Sequence, residues 1–221
     1  MTTLDTAVDA EHCVWLSISH IKSDLSFGFT SEMLEHDEQI LVTRLLAFKR
    51  GELLTSNEVP ASMWIALRAR SKDDRRSLPD LFVAGGFLAV SEAFAEVLRE
   101  FDLGRTRLHP VELLHADKET PFPGRRYLLN IAEVRRHFSP EHSLRYEAFP
   151  HSTTSFVGSV GNAVVDGDIS VNPDALGGPD LWIDDTLVSH FFCSDRLVRA
   201  LRAANVASRV PLHRCRVVAL N

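Results

Sequence analysis

The stretch LPDLFVAGGFLAVSEAFAEVLREF, residues 78–101, indicates how this chain folds. A short apolar run precedes the pair Gly85-Gly86, which is typical of a tight turn. Ser91 then opens a segment whose apolar side chains recur three and four residues apart, and this spacing predicts an amphipathic helix. The Ser91 hydroxyl can accept a hydrogen bond from a free backbone N–H in the first turn of that helix.

A strand is predicted directly after this helix. Gly104 is placed to end the helix, and Leu108, Val111 and Leu113 follow it in a pattern that favours a strand. Pro110 lies near the start of the strand. Because proline has no backbone N–H to donate to a neighbouring strand, its presence indicates an edge strand.

The same pattern recurs at residues 193–201, where CSDRLVRAL matches VSEAFAEVL at residues 90–98. Each copy has an apolar residue, a serine, an acid and then a helix, and each is followed by another strand candidate. Either an internal duplication or a frequent local solution explains the recurrence. The predicted fold class is α+β, with mixed, mostly antiparallel sheets, a few packed helices and two strand–Ser-capped helix–strand units.

The rest of the chain predicts short strands separated by loops. Further strands are expected at Cys13–Ile21, Met63–Leu67, Tyr127–Val134, Leu181–Ile183, Leu187–Phe192 and Val206–Val218. Ile40–Phe48 fits a helix or a strand. Residues 149–180 are rich in Ser, Thr, Gly and Pro, which predicts loops with short strands such as Ala163–Val165.

The charged connection Arg68–Ser77 is the candidate domain boundary. It predicts a β-rich N-terminal subdomain at residues 1–70 and an α+β domain at residues 71–221, with one continuous domain as the alternative. The length of 221 residues is long for one average domain and short for two, so it permits both. A hydrophobic content of 45% and a charged content of 24% are ordinary for a globular protein.

The chain shows no sign of a membrane or secretory context. Residues 1–11 lack the basic segment and apolar core of a signal peptide, and no apolar run approaches the roughly 18 residues of a membrane helix. The three cysteines, Cys13, Cys193 and Cys215, are odd in number and lack CxxC spacing. We therefore expect a cytoplasmic protein, monomer or homodimer, with reduced thiols and no membrane partner.

Charge is distributed unevenly along the chain. The net charge of −6 argues against a nucleic-acid partner. Eight acids and no Lys or Arg occur from Tyr146 to Asp195, and six arginines without an acid follow. This acidic stretch is either a solvated loop region whose acids keep the protein soluble or a surface that binds a partner. The candidate partner-binding residues are Asp166, Asp168, Asp174, Asp180, Asp184 and Asp185.

A catalytic constellation is not recognisable. The sequence has no GxSxG elbow, no GxGxxG and no P-loop, so no catalytic, cofactor-binding or metal residue is predicted. One alternative stays open, an enzyme with a His/carboxylate or metal site. His109 and His115 lie on or beside one predicted strand near Glu112, and Asp184 follows another strand. Satisfied or solvent-facing histidines are the commoner explanation.

A family resemblance covers roughly residues 60–218. The features that support it are Pro79, Asp80, Val90, Ser91, Glu92, Phe94, His109, Pro110 and Val111, and then FFCSDRLVRALRAANV at residues 191–206. This pattern resembles a bacterial polymorphic-toxin immunity protein family, number eleven, formerly a domain of unknown function. One departure is Ala207-Ser208, where the family often has a glycine.

The resemblance implies an antidote rather than an enzyme. Such a protein binds a cognate toxin, often a nuclease, and occludes its active site. The matched residues imply a scaffold role and no catalytic role; they include Pro79, Asp80, Ser91, Pro110, Ser194 and Asp195. Because a nuclease must hold phosphates, its cleft is basic, and the acidic stretch would complement such a partner.

Overall fold

The computed structural model describes residues 13–36, 38–66, 77–149 and 158–219. Fifteen strands and four α-helices are found in this part of the chain. Eight of the eleven strand pairs are antiparallel. The predicted α+β class with mostly antiparallel sheets is therefore confirmed.

Two sheets form the framework. The larger has the spatial order β2 (Ser26–Phe27), β5 (Leu81–Ala84), β6 (Phe87–Ser91), β8 (Arg126–Asn130), β7 (Arg107–Leu114), β4 (Ser62–Ile65) and β3 (Phe29–Thr30). The smaller has the order β12 (Leu181–Trp182), β13 (Phe191–Ser194), β1 (Val14–Ser17) and β14 (Leu212–Arg214). Two minor pairs join β9 (Tyr146–Ala148) to β10 (Gly158–Val160), and β11 (Ser170–Val171) to β15 (Arg216–Val217).

The four helices are α1 (Glu32–His36), α2 (Glu38–Lys49), α3 (Glu92–Arg99) and α4 (Asp195–Ala203). The ambiguous segment Ile40–Phe48 is therefore helical, and Phe48 packs edge-on against Phe87 with ring centroids 5.2 Å apart. Helices α3 and α4 are the two that the serine pattern predicted. Each buries three or four side chains, and each buried Leu or Phe contributes roughly 1.5–3 kcal/mol.

Both predicted N-caps are present. The hydroxyl of Ser91 accepts a hydrogen bond from the backbone N–H of Phe94 at 3.2 Å. The hydroxyl of Ser194 accepts one from Leu197, also at 3.2 Å. These bonds satisfy one otherwise free N–H at the start of each helix, because the first turn of a helix has no intrahelical acceptors for its amides.

The two helical units repeat one arrangement in three dimensions. Strand β8 lies between β6 and β7 in the first unit, and β1 lies between β13 and β14 in the second. In the first unit the Ser91 hydroxyl and N–H donate to the carboxylate and carbonyl of Asp80 at 2.6 and 2.9 Å. In the second, Ser194 makes the same two contacts with Asp180. The Pro-Asp-Leu sequence at residues 79–81 recurs at 179–181.

The equivalence extends to one aromatic residue in each unit. Tyr127 pairs with the residue before Ser91, and Trp15 pairs with the residue before Ser194. The Tyr127 hydroxyl donates to the first acid of α3 at 2.7 Å, and the Trp15 indole N–H donates to the first acid of α4 at 2.9 Å. An arginine lies over each ring, Arg99 at 4.9 Å and Arg202 at 4.4 Å from the centroid.

The core divides at the four-stranded sheet because successive side chains of a strand face opposite sides. Trp15 packs into the larger cluster, which also contains the buried faces of α3 and α4. Val14 and Leu16 point the other way, into a smaller cluster with Trp182 and Phe192. Eight of the twelve buried residues of this smaller cluster come from the acidic stretch.

Several local predictions differ from the structure. Strand β7 is internal, between β8 and β4, although Pro110 suggested an edge. Its pairing with β4 begins only at Glu112, so Pro110 lies beyond the end of the neighbouring strand and no ladder bond is lost. Ala163–Val165 forms no strand, and the strand predicted from Leu187 starts at Phe191. The strand predicted over Cys13–Ile21 ends at Ser17, and Ser19–Ile21 forms a 3₁₀ helix.

Strands on both sides of residue 70 share the same two sheets. Strand β2 pairs with β5, β4 with β7, and β1 with β13 and β14. The predicted boundary within residues 68–77 lies almost entirely outside the described residues. The division at residues 70 and 71 therefore stays a prediction.

Candidate partner-binding surface

Three of the six candidate aspartates are buried, and the most enclosed of them is Asp180. Its carboxylate accepts hydrogen bonds from the Ser194 hydroxyl, from the backbone N–H of Asp102 at 3.1 Å, and from two guanidinium nitrogens of Arg196. These contacts join the end of α3 to the start of α4. Asp180 therefore acts inside the fold, at the position that Asp80 occupies in the first unit.

Asp168 and Asp184 are also buried. Asp184 accepts backbone N–H bonds from Phe138 and Thr186, each at 3.0 Å. Asp168 accepts a hydrogen bond from the backbone N–H of Val165 at 2.9 Å and forms an ion pair with Arg145 at 3.0 Å. Both carboxylates thus hold loop backbone in place, since buried acceptors need such donors.

The other three candidates reach solvent to different degrees. Asp166 and Asp174 are exposed, and Asp166 accepts the backbone N–H of Arg214 at 2.8 Å. Asp185 is half-buried and forms a bidentate pair with Arg136, with both N–O distances 2.8 Å. Hydrogen bonding from Arg136 lowers the pKa of Asp185, against the opposing effect of burial.

Arginines from outside the acidic stretch neutralise half of it. The four ion pairs are Arg145–Asp168, Arg196–Asp180, Arg136–Asp185 and Arg199–Asp195. Eight acids occur in the stretch, so four have a cationic partner in the fold. The acids outside these four ion pairs that reach solvent are Glu147, Asp166 and Asp174. The acidic surface is therefore smaller than the sequence indicates.

Five of the six residues assigned a scaffold role lie around the two helix starts, and the sixth, Pro110, lies in β7. Pro79 is buried and precedes the Asp80 that binds Ser91. Asp195 follows Ser194 and accepts bonds from Trp15 and from the thiol of Cys13. Burial acts to raise the pKa of Asp195, but these bonds and the charge of Arg199 outweigh it and lower the pKa overall.

The residues of the alternative His/carboxylate site are not brought together. The side chain of His109, in β7, faces the protein interior, and burial lowers its pKa. Glu112 is exposed on the opposite face of the same strand. His115 lies beyond the end of the strand, with its ring stacked on Phe122 at 3.9 Å. Within the described ranges, no group of three or more His, Cys, Asp or Glu could hold a metal ion.

The three cysteines are free and buried, as the sequence predicted. Burial raises the pKa of Cys13 to about 11, and it raises the pKa of Cys193 and Cys215 further. The thiols are therefore protonated and poor nucleophiles, because the thiolate is the reactive form. None of the helices described here is long and apolar enough to cross a membrane.

These observations define a small α+β protein whose distinctive residues form contacts within the fold and whose exposed acids are candidates for binding a partner. The chain matches the model of the Immunity protein family (Imm11) over residues 32–211, which is most of its length, and it belongs to that family. The resemblance seen in the sequence is thereby confirmed, and with it an immunity role, which implies binding of a cognate toxin. No curated protein matches the chain.

Proposed function

We propose that this protein neutralises its cognate toxin by binding it and occluding the toxin's active site, without catalysing a reaction itself. The observation that supports the proposal is the Imm11 match over residues 32–211. The target we propose is a nuclease. Its active site must attract phosphates, so it is basic and would be complemented by acidic groups on the inhibitor.

The contact surface that we propose is the exposed remainder of the acidic stretch. Asp166 and Asp174 reach solvent, and Glu147 is exposed as well. The buried Asp168, together with its Arg145 partner, would hold the intervening loops in position. A surface of this kind affects the association rate most, because exposed charges steer the encounter of two proteins over distances of about a Debye length.

The first experiment is a pull-down with the product of the neighbouring gene, expressed as a catalytically dead variant. We expect a tight, stoichiometric complex whose association slows as salt is raised from about 0.05 to 0.3 M. The active toxin should lose its activity when the complex forms. If the wild-type chain forms no complex with the neighbouring-gene product, the proposed function is contradicted.

The double variant Asp166→Lys/Asp174→Lys tests the surface. We expect association to slow about tenfold, because two attractive charges become repulsive. The matched control is Glu96→Lys/Glu100→Lys, which makes the same change in net charge at two exposed positions, one in α3 and one directly after it. Stopped-flow association with both variants gives the comparison. Equal rates for the two would remove the acidic stretch from the interface and leave the toxin complex intact.

A further inference from the structure

A groove crosses the larger sheet at β7, at the level where the two flanking strands, β4 and β8, begin. Its volume is about 550 Å³. Apolar side chains form part of its lining, among them Val111, Leu113 and Phe122. Arg125 and Arg126 also line it, opposed by the single acid Glu112. The groove therefore combines apolar walls with a net positive charge.

Arg126 is the unusual residue of this groove. It is half-buried, and its Nη1 donates to the carbonyl of Arg125 at 2.9 Å. Its buried Nε has no hydrogen-bond partner, and no carboxylate among the described residues lies within ion-pair distance of it. Burial lowers the pKa of Arg126, and the more distant charge of Asp80 only partly opposes this. Partial burial of a cation without an ion pair costs the fold free energy.

The second unit shows that the fold does not need a cation at this position. Arg126 lies opposite Ser91 in the strand register, and the residue opposite Ser194 is Val14, which is buried. The neighbouring residues Tyr127 and Trp15 make equivalent contacts in the two units, whereas Arg126 has a hydrophobic residue as its counterpart. Arg126 is thus a departure from the repeated framework, and it lines a groove.

We propose that this groove binds an extended segment of the cognate toxin in which a carboxylate lies next to an apolar side chain, with the carboxylate on Arg126. This inference rests on the proposed function and assigns the toxin a second contact, opposite in charge to the acidic stretch. A guanidinium with free donors binds a carboxylate in two parallel hydrogen bonds, which ammonium groups cannot reproduce.

The apolar walls of the groove are the reason why we expect the bound segment to carry an apolar side chain beside its carboxylate. Val111, Leu113 and Phe122 are buried, so they offer a firm surface rather than mobile side chains. Arginine is enriched among the residues that dominate binding at protein interfaces. Glu112, which is exposed at the groove, would disfavour a segment with several acids, so one carboxylate flanked by apolar residues fits best.

The test compares the variants Arg126→Val, Arg126→Lys and Arg105→Val in complexes with the catalytically dead neighbouring-gene product. Arg105 is an exposed arginine outside the groove and serves as the matched control. We expect R126V to dissociate at least about tenfold faster, R126K to be intermediate, and R105V to behave as wild type. The free R126V protein should melt at the same or a higher temperature, because valine occupies the equivalent position in the second unit.

The outcomes separate this inference from the proposed function. Wild-type dissociation in R126V would overturn the groove as a binding site while the toxin complex stands. The same holds if the amides of residues 111–113, 122 and 124–127 gain no protection from hydrogen exchange in the complex. A lower melting temperature with unchanged binding would make Arg126 a countercharge for Asp80 and would also overturn it. Absence of any complex with the wild-type chain would remove both proposals together.

Discussion

Two histidines, His20 and His190, line one small internal cavity between helix α2 and strands β6 and β8. The Nε2 of His190 accepts the backbone N–H of Val160 at 3.2 Å, which requires that nitrogen to be unprotonated. Burial lowers the pKa of His190 to about 4. Burial, together with the nearby charge of Lys49, lowers the pKa of His20 to about 3. The folded protein therefore contains both rings in neutral form.

Because the folded protein holds these histidines in the neutral form, we expect its stability to fall as the pH is lowered. Below a pH of about 6.5 the unfolded chain protonates His190 and the folded protein does not, so unfolding takes up a proton and stability falls until the pH approaches the folded pKa of about 4. At pH 5.5 the expected loss from His190 is about 1.4 kcal/mol relative to pH 7.5. Urea unfolding at both values measures it.

The variant His190→Gln isolates this contribution. A glutamine can accept the Val160 amide without titrating, so we expect a smaller stability difference between pH 7.5 and 5.5 than in the wild type. His142→Gln, at an exposed position, is the control and should keep the wild-type dependence. If His190→Gln also keeps the full dependence, the buried ring is not its source.

At the scale of elements, the two serine-capped helices should respond alike to loss of the cap. Ser91→Ala and Ser194→Ala each remove an acceptor for a helix amide and a donor to a buried or half-buried aspartate. We expect each variant to lose about 1–2 kcal/mol in chemical denaturation. Ser77→Ala, at an exposed position outside the helices, should change stability by less than about 0.5 kcal/mol. A similarly small change at both caps would show that the repeated hydroxyls are dispensable.

Helices α3 and α4 were predictable because their signals are local, whereas the segment that forms α2 fitted a helix or a strand. Ser91 and Ser194, each followed by an acid and apolar spacing, identified both helix starts. The recurrence of Pro-Asp-Leu at residues 79 and 179 was also readable in the sequence and would have favoured duplication over a chance local solution. The equivalence of Tyr127 and Trp15 could not be predicted from the sequence. Strand β8 follows β6 and α3 in the chain, whereas β1 precedes β13 and α4 by more than a hundred residues.

The candidate surface was predictable only in part, because counting charge along the chain misses pairing across it. Asp185 meets Arg136 from 49 residues earlier, and Asp180 meets Arg196 beyond the end of the stretch. Burial of Asp184 depends on the loop at Phe138, which lies 46 residues away. Such long-range contacts leave no periodicity or motif in the sequence, so the acidic stretch reads as more negative than its folded surface.

At the scale of the whole molecule, strand β1 connects the first part of the chain to the last. It lies inside the four-stranded sheet, between β13 and β14, and it supplies Trp15 to the start of α4. The family match spans residues 32–211, so β1 and β14 both lie outside the matched segment although they complete the second unit. The second unit therefore depends on strands that the family pattern does not include.

This dependence distinguishes a boundary at residue 70 from one continuous domain. A fragment of residues 71–221 lacks β1 to β4, which removes an internal strand from the smaller sheet and three strands from the larger. Exposed ladders and an open core follow, so we expect this fragment to give no cooperative thermal transition, and to regain one when residues 1–70 are added as a second fragment. A chain of residues 12–221 keeps all the described contacts and should melt as the full chain does. Cooperative folding of residues 71–221 alone would instead support the boundary, with β1 as an accessory strand.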